Sequence, residues 1–199
     1  MNSKAVGALA LILGMANIAL AGYPPPSLMA AQWWQWAIET PASENPVTDT
    51  TGEFAAVGQR GPVWFLAGNL GGTTVRTITL PADTTLFVPI VNTFLVDEGT
   101  IGEERARNRA AIDGAAGLSL EVDGIPVRIT ENNREQSTPF ALKLPVDNIY
   151  GAPAGTYAPT VDEGYYVLLA PLAPGTHTIH FAGSLPDFSL DVTYYITVQ

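Results

Sequence analysis

A chain of 199 residues with no cysteine has neither a disulfide framework nor thiolate chemistry, and must hold together by packing alone. Its 19 acidic side chains against 9 basic ones, a net charge of −10, exclude the clustered positive surface that nucleic acid or an anionic membrane requires. Frequent Gly, Pro and Thr, with short apolar stretches between turn residues, predict a mainly β protein.

Residues 1–21 read as a cleavable secretory signal. Lys4 precedes an apolar run from Ala5 to Leu20, and Ala19 and Ala21 supply the small side chains that a signal peptidase reads, so cleavage is expected before Gly22. The run is short for a bilayer span, Gly7, Gly14 and Asn17 interrupt it, and Pro24-Pro25-Pro26 follows at once, which argues against an anchor. No cysteine follows to take a lipid, and no later segment is long and apolar enough to cross a membrane. The expectation is a periplasmic or secreted product in which residues 22–199 form one domain.

Ser27 is placed to cap a helix from about Leu28 to Glu39, with Trp33, Trp36 and Ala37 on one face and Trp34 and Ile38 on another. Thr40-Pro41 ends it, and residues 41–61 form a polar loop. Strands are expected at Pro62 to Ala67, at Thr74 to Leu80, and at Leu86 to Val96, where Pro89 demands a bulge or an edge position. A second helix over 102–113 has acids first and arginines later, an i,i+4 pair of Glu103 with Arg107, and only a shallow apolar face of Ala106, Ala110 and Ala111. The basic run Arg105, Arg107 and Arg109 is interleaved with acids and suits a solvated helix face rather than a phosphate site.

Leu118 to Ile129 is a hairpin turning at Asp123-Gly124, which puts Leu118, Leu120, Val122, Ile125, Val127 and Ile129 on one face. Tyr165 to Ala170 is apolar throughout and suits a strand covered on both sides, whereas Phe188 to Val198 alternates and suits a strand with one wet face. Together these predict an antiparallel β-sandwich, jelly-roll or immunoglobulin-like, of about eight to ten strands with one or two short helices.

Six stretches, Trp33 to Pro41, Gln59 to Gly68, Leu86 to Asn92, Pro139 to Asn148, Gly164 to Gly183 and Phe188 to Val198, resemble a family of secreted bacterial β-rich proteins to which no activity is attached. The corner Leu172-Ala173-Pro174-Gly175, followed by His177 to Phe181, is the most specific part. The resemblance covers nearly all of residues 22–199 and implies export and a β-rich domain, with no catalytic residue to carry over.

Chemistry is sparse. His177 and His180 are the only histidines; on a strand they face opposite ways, His177 inward with Ile179 and Phe181, so they cannot share a metal, and the expectation is one half-buried bonded histidine and one at the surface. The acidic pairs Asp97-Glu98, Glu103-Glu104 and Asp162-Glu163 are oxygen donors of the kind calcium takes, but none sits in a calcium-loop pattern, and solvated loop acids describe them better. Nucleophile elbows and phosphate loops are absent. The candidate binding residues are Trp33, Trp34 and Trp36, too much aromatic surface for one face to bury unless the helix plugs the sandwich, together with Arg134 and His177. Arg134 is expected to pair with a neighbouring acid or with a carboxylate ligand.

The composition therefore favours an exported, non-enzymatic β-sandwich that binds a ligand, a glycan or a protein partner, or that self-associates through an unpaired edge at Leu86 to Val96 or at the terminal strand. The alternative is a polysaccharide hydrolase with two carboxylates in an aromatic-lined cleft.

Overall fold

Alternation along the strands decides the layering. β10 (Phe188–Val198) buries Leu190, Val192, Tyr194, Ile196 and Val198 and turns the residues between them towards solvent. β8 (Gly155–Leu169) is instead buried without a break from Thr160 to Val167. A strand with one wet face belongs to an outer sheet, and a strand buried on both faces needs a layer on each side.

The computed structural model, which describes residues 23–96 and 99–199, contains both arrangements. One sheet runs β1 (Val63–Phe65), β3 (Thr85–Val96) and β8, with β6 (Arg134–Gln136) and β7 (Phe140–Leu144) paired to the far side of β8. The other runs β2 (Gly72–Leu80), β10, β9 (Gly175–Leu185), β4 (Ala116–Val122) and β5 (Ile125–Pro126). Between the sheets, Leu86, Val88, Ile90, Tyr165 and Val167 meet Ile78, Leu120, Ile179, Phe181, Val192 and Ile196. On its opposite face the first sheet presents Phe87, Leu142 and Tyr166 to the helix α1 (Pro26–Glu39). The signal read in residues 1–21 and the pair Asp97-Glu98 lie outside the described residues.

The sandwich-like, mainly β expectation holds, with ten strands and two α-helices among the described residues. Its strictly antiparallel character does not, because β1 pairs with β3 and β2 with β10 in parallel. The reason lies in the path of the chain: β1 and β3 belong to one sheet and the intervening β2 to the other, so the chain leaves, reverses and returns in its original direction. Pro89 is accommodated by a register shift between Pro89 and Val91 opposite β8. Just beyond, Gly164 leaves no room for a side chain, since a Cβ there would stand 2.5 Å from that of Asn92. Of the two edges expected to support self-association, the terminal strand is flanked by β2 and β9, and β3 is flanked by β1 and β8 over Thr85–Phe87.

Three local expectations are corrected. Ser27 does not cap α1: the helix starts at Pro26 after Pro25, with no side-chain cap, because proline in the first turn has no N–H to satisfy. Its C-terminus is closed by the Asn45 amide, which donates to the Ala37 and Thr40 carbonyls, so the polar loop of 41–61 is an ordered part of the packing. α2 (Ile101–Ile112) begins with the Thr100–Glu103 capping box but buries Glu104, Asn108 and Ile112 rather than its alanines. It covers strand backbone, where the Asn108 amide donates to the Val161 carbonyl. In the hairpin, Asp123 and Gly124 take φ of 53° and 74° and Val122 pairs with Ile125 as expected. Beyond Pro126 the Val127 N–H still donates to the Leu120 carbonyl, so the hairpin continues as expected, while Ile125 is left exposed at the tip.

The strand β2 inverts the usual pattern: Val75 points to solvent and Arg76, 1% exposed, points inward. The Arg76 guanidinium donates to the carbonyls of Val47, Asp49, Ala67 and Gly68 and to the Tyr194 hydroxyl, over whose ring it also lies. Asp49 ties down the same loop by accepting from Thr51, Gly52 and Phe54; burial works to raise its pKa, but these bonds outweigh it and hold the carboxyl below its usual range. A lysine at position 76 keeps the charge but cannot reach three segments at once. Arg76→Lys is expected to cost about 3 kcal/mol or more of unfolding free energy in a denaturant titration, and a loss below about 1 kcal/mol would refute the clasp.

Candidate functional site

The three tryptophans of α1 occupy a second core, not the end of the sandwich. Trp33, Trp34 and Trp36 are 3%, 7% and 8% exposed, so their rings lie in the core, the alternative that the sequence offered to an exposed, stacking ring. The explanation is that α1 is buried almost all round, between the first sheet and the loop that folds back over it. The Trp33 and Trp36 indole N–H groups donate to the carbonyls of Leu66 and Val57. That of Trp34 is buried with no hydrogen-bond partner.

Trp33 and Trp34 do, however, wall a cleft of about 300 Å³. Its other walls come from Pro89, Asn92, Thr93 and Phe94 of β3, from Leu185, Phe188 and Leu190 where β9 turns into β10, and from Ile149 and Tyr150. A continuous aromatic path leads outward: Trp33 meets Trp34 at 4.9 Å between ring centres, Trp34 meets Phe94 at 4.4 Å, and Phe94 meets Tyr150 at 6.2 Å. Tyr150 and Leu70 stand half exposed at its rim, at 49% and 58%. Among the described residues no Asp, Glu, Lys, Arg or His lines the cleft, and the two-carboxylate arrangement expected of a hydrolase is not found among them there.

Beneath the cleft floor lies a buried acid. Asp162, expected to be a solvated loop residue, sits in β8 at 1% exposure. It accepts hydrogen bonds from the Tyr166 phenol and the Ser137 N–H, and Tyr166 in turn accepts from the Asn92 amide at 3.1 Å. Burial lifts the Asp162 carboxyl to about 6, against the bonds that favour its charged form. Burial and the neighbouring carboxylate push the Tyr166 phenol well above its usual value. The Trp34 indole lies near enough to favour the charged forms of both without completing a bond to either.

The remaining candidates are spread elsewhere. Arg134 takes the first of its two expected partners: it binds Glu163 at 2.6 Å and Asp113 at 2.7 Å. Glu163, also expected in solvent, is buried and further held by Gln136. Glu103 caps α2 and Glu104 is buried. No cluster of three or more His, Asp or Glu able to hold a metal occurs among the described residues. The aromatic path through Phe94 and Tyr150 and the acid beneath it escaped the sequence reading. Only the length of the apolar run in β3 hinted that it was covered on both faces.

His177 is half-buried and bonded, and His180 is nearer the surface beside Asp191. Nδ1 of His177 lies 2.8 Å from the Asp123 carboxylate and Nε2 lies 2.8 Å from the Ala173 carbonyl. Both partners are acceptors, so both bonds are made together only by the imidazolium. Burial opposes the charge, but Asp123 and Ala173 outweigh it and raise the pKa above the usual value. The stability this clamp contributes is therefore full below the unfolded pKa near 6.5 and is lost as pH rises through the higher folded one. His177→Gln should lower the melting temperature more at about pH 5.5 than at pH 8; an equal loss at both would refute the imidazolium clamp.

No protein-family model matches the chain, and no curated protein matches it. Among solved structures it is similar to the cysteine protease inhibitor EhICP2 from Entamoeba histolytica, at 15% identity over 69% of this chain and 96% of that one, with a TM-score of 0.27. It is similar also to amebosin, at 12% identity over 64% and 96% of the two chains, with a TM-score of 0.19. Likenesses this slight carry no function to the chain.

Proposed function

We propose that this chain is an exported binding protein whose cleft beside α1 takes a small, uncharged, largely apolar ligand. The observation that carries the reading is the aromatic path from Trp33 to Tyr150 around about 300 Å³, open at a rim of half-exposed Leu70 and Tyr150, with no charged side chain among the described residues that line it. Mostly apolar walls with a few polar groups, here Asn92 and Thr93, are the ordinary make-up of a small-molecule site. A large side chain left exposed beside such a cleft costs nothing once a ligand covers it. Glycan stacking is less well served, because the tryptophan faces are buried. Export is supported by the signal-like pattern of residues 1–21 and by the resemblance to secreted proteins.

The neutral fluorophore N-phenyl-1-naphthylamine, which brightens in apolar surroundings, is a direct probe. Its titration should saturate, and Leu70→Ser and Tyr150→Ala should each weaken it roughly tenfold. Val75→Ser, on the wet face of the other sheet, should leave it unchanged. Absence of saturable binding, or rim variants that bind as tightly as the parent, would overturn the reading. Export is checked separately by mass spectrometry of the product from a secreting bacterial host, which should begin at Gly22; an intact Met1 would refute cleavage.

A further inference from the structure

We propose that occupancy of the cleft is coupled to the protonation of Asp162, so that a neutral apolar ligand is held while Asp162 carries a proton and released when it ionises. The inference rests on the cleft being the binding site and adds a control to it.

Two residues belong to both the cleft and the acid. Asn92 lines the cleft and donates to the Tyr166 phenol, which donates to the Asp162 carboxylate. Trp34 lines the cleft, and its unpartnered indole N–H lies beside the same pair. The floor of the cleft is thus one layer of side chains above a fully buried carboxylate.

The groups that set the state of that carboxylate come from each element around it. β8 contributes Tyr166, the one titratable group among its hydrogen-bond partners within the described residues; the segment between β6 and β7 contributes Ser137; α1 contributes Trp34. β3, opposite, places Phe94 in register with Asp162 and Asn92 two residues before. Of the charged side chains on the packed elements, Glu163 is bound by Arg134 and Gln136, Arg105 of α2 donates to Gln136 and to the Ser137 carbonyl, and Glu104 is buried in α2. Among the described residues no cation is hydrogen-bonded to the Asp162 carboxylate.

An ionised acid in such a place depends on nearby dipoles and on water reaching it from the cleft side. A ligand that fills the cleft removes that water above Asn92 and Trp34 and makes the charged form costlier. Coupling between two binding events is reciprocal, so a proton on Asp162 strengthens ligand binding by the same factor. The carboxyl titrates near 6, which sets the range over which the control operates.

The test is the N-phenyl-1-naphthylamine titration of the purified protein at about pH 5 and about pH 7.5, where the probe stays neutral. The parent should bind about threefold or more tightly at the lower pH, the effect of a half-unit rise in the Asp162 pKa. Asp162→Asn should bind equally at both. Because this buried substitution can perturb folding, carboxyl 13C resonances of the parent provide a second readout: the Asp162 midpoint should move upward when the probe is added. Equal affinity of the parent at both pH values, a retained difference in Asp162→Asn, or an unmoved midpoint overturns the coupling while leaving the cleft as a site. No probe binding at either pH overturns both.

Discussion

One buried guanidinium joins parts of the molecule that nothing else connects so closely. Arg76 extends from the second sheet to the carbonyls of a loop near Val47 and Asp49, to those of Ala67 and Gly68, and to Tyr194 on the next strand. No carboxylate lies among these five bonds, so the positive charge is spread over backbone dipoles, the Tyr194 hydroxyl and its ring face, and Tyr194 in turn donates to the Ala67 carbonyl that the guanidinium also binds. Of the two segments it holds, one carries Asn45, which closes α1, and Val47, which walls the cleft, and the other carries Gly68, a second wall residue. Arg76 therefore fixes two of the segments that border the cleft.

Much of the fold was legible because alternation has a simple cause. In 188–198 every second residue is apolar because that strand has one dry face, and in 165–170 all are apolar because that strand has two. The hairpin at Asp123-Gly124 follows from the positive φ that these residues tolerate. What stayed hidden involved polar groups facing inward. Arg76, Asp162, Glu163 and Glu104 are all buried, and binary patterning places such residues in water. Their burial depends on partners brought from far along the chain, such as Ser137 for Asp162 and Arg134 for Glu163, and no local window contains them.

The tryptophan helix was recognisable as a helix, while its role was not. Three large rings exceed what one face of a helix buries against one partner, which leaves either an exposed ring or a helix that plugs the sandwich. The surplus is absorbed because the helix is packed on two sides, by the first sheet and by residues 41–61, which look like a solvated loop in composition alone. The cleft survives where Trp34 meets Phe94, with Trp33 beside it, without filling the space between sheet and helix. Phe94 and Tyr150 are separated in sequence by more than fifty residues, which is why neither drew notice beside the conspicuous tryptophan run.

The parallel pairing of β2 with β10 has a temporal side. Leu190 to Val198 lies in register with Gly72 to Leu80, so β2 has no strand neighbour in the second sheet until β10 is in place. Contacts so distant along the chain form late, since a long loop must be closed before they yield any stabilisation. The order of assembly in this sheet is therefore set by β10, which supplies the register for a strand made far earlier in the chain.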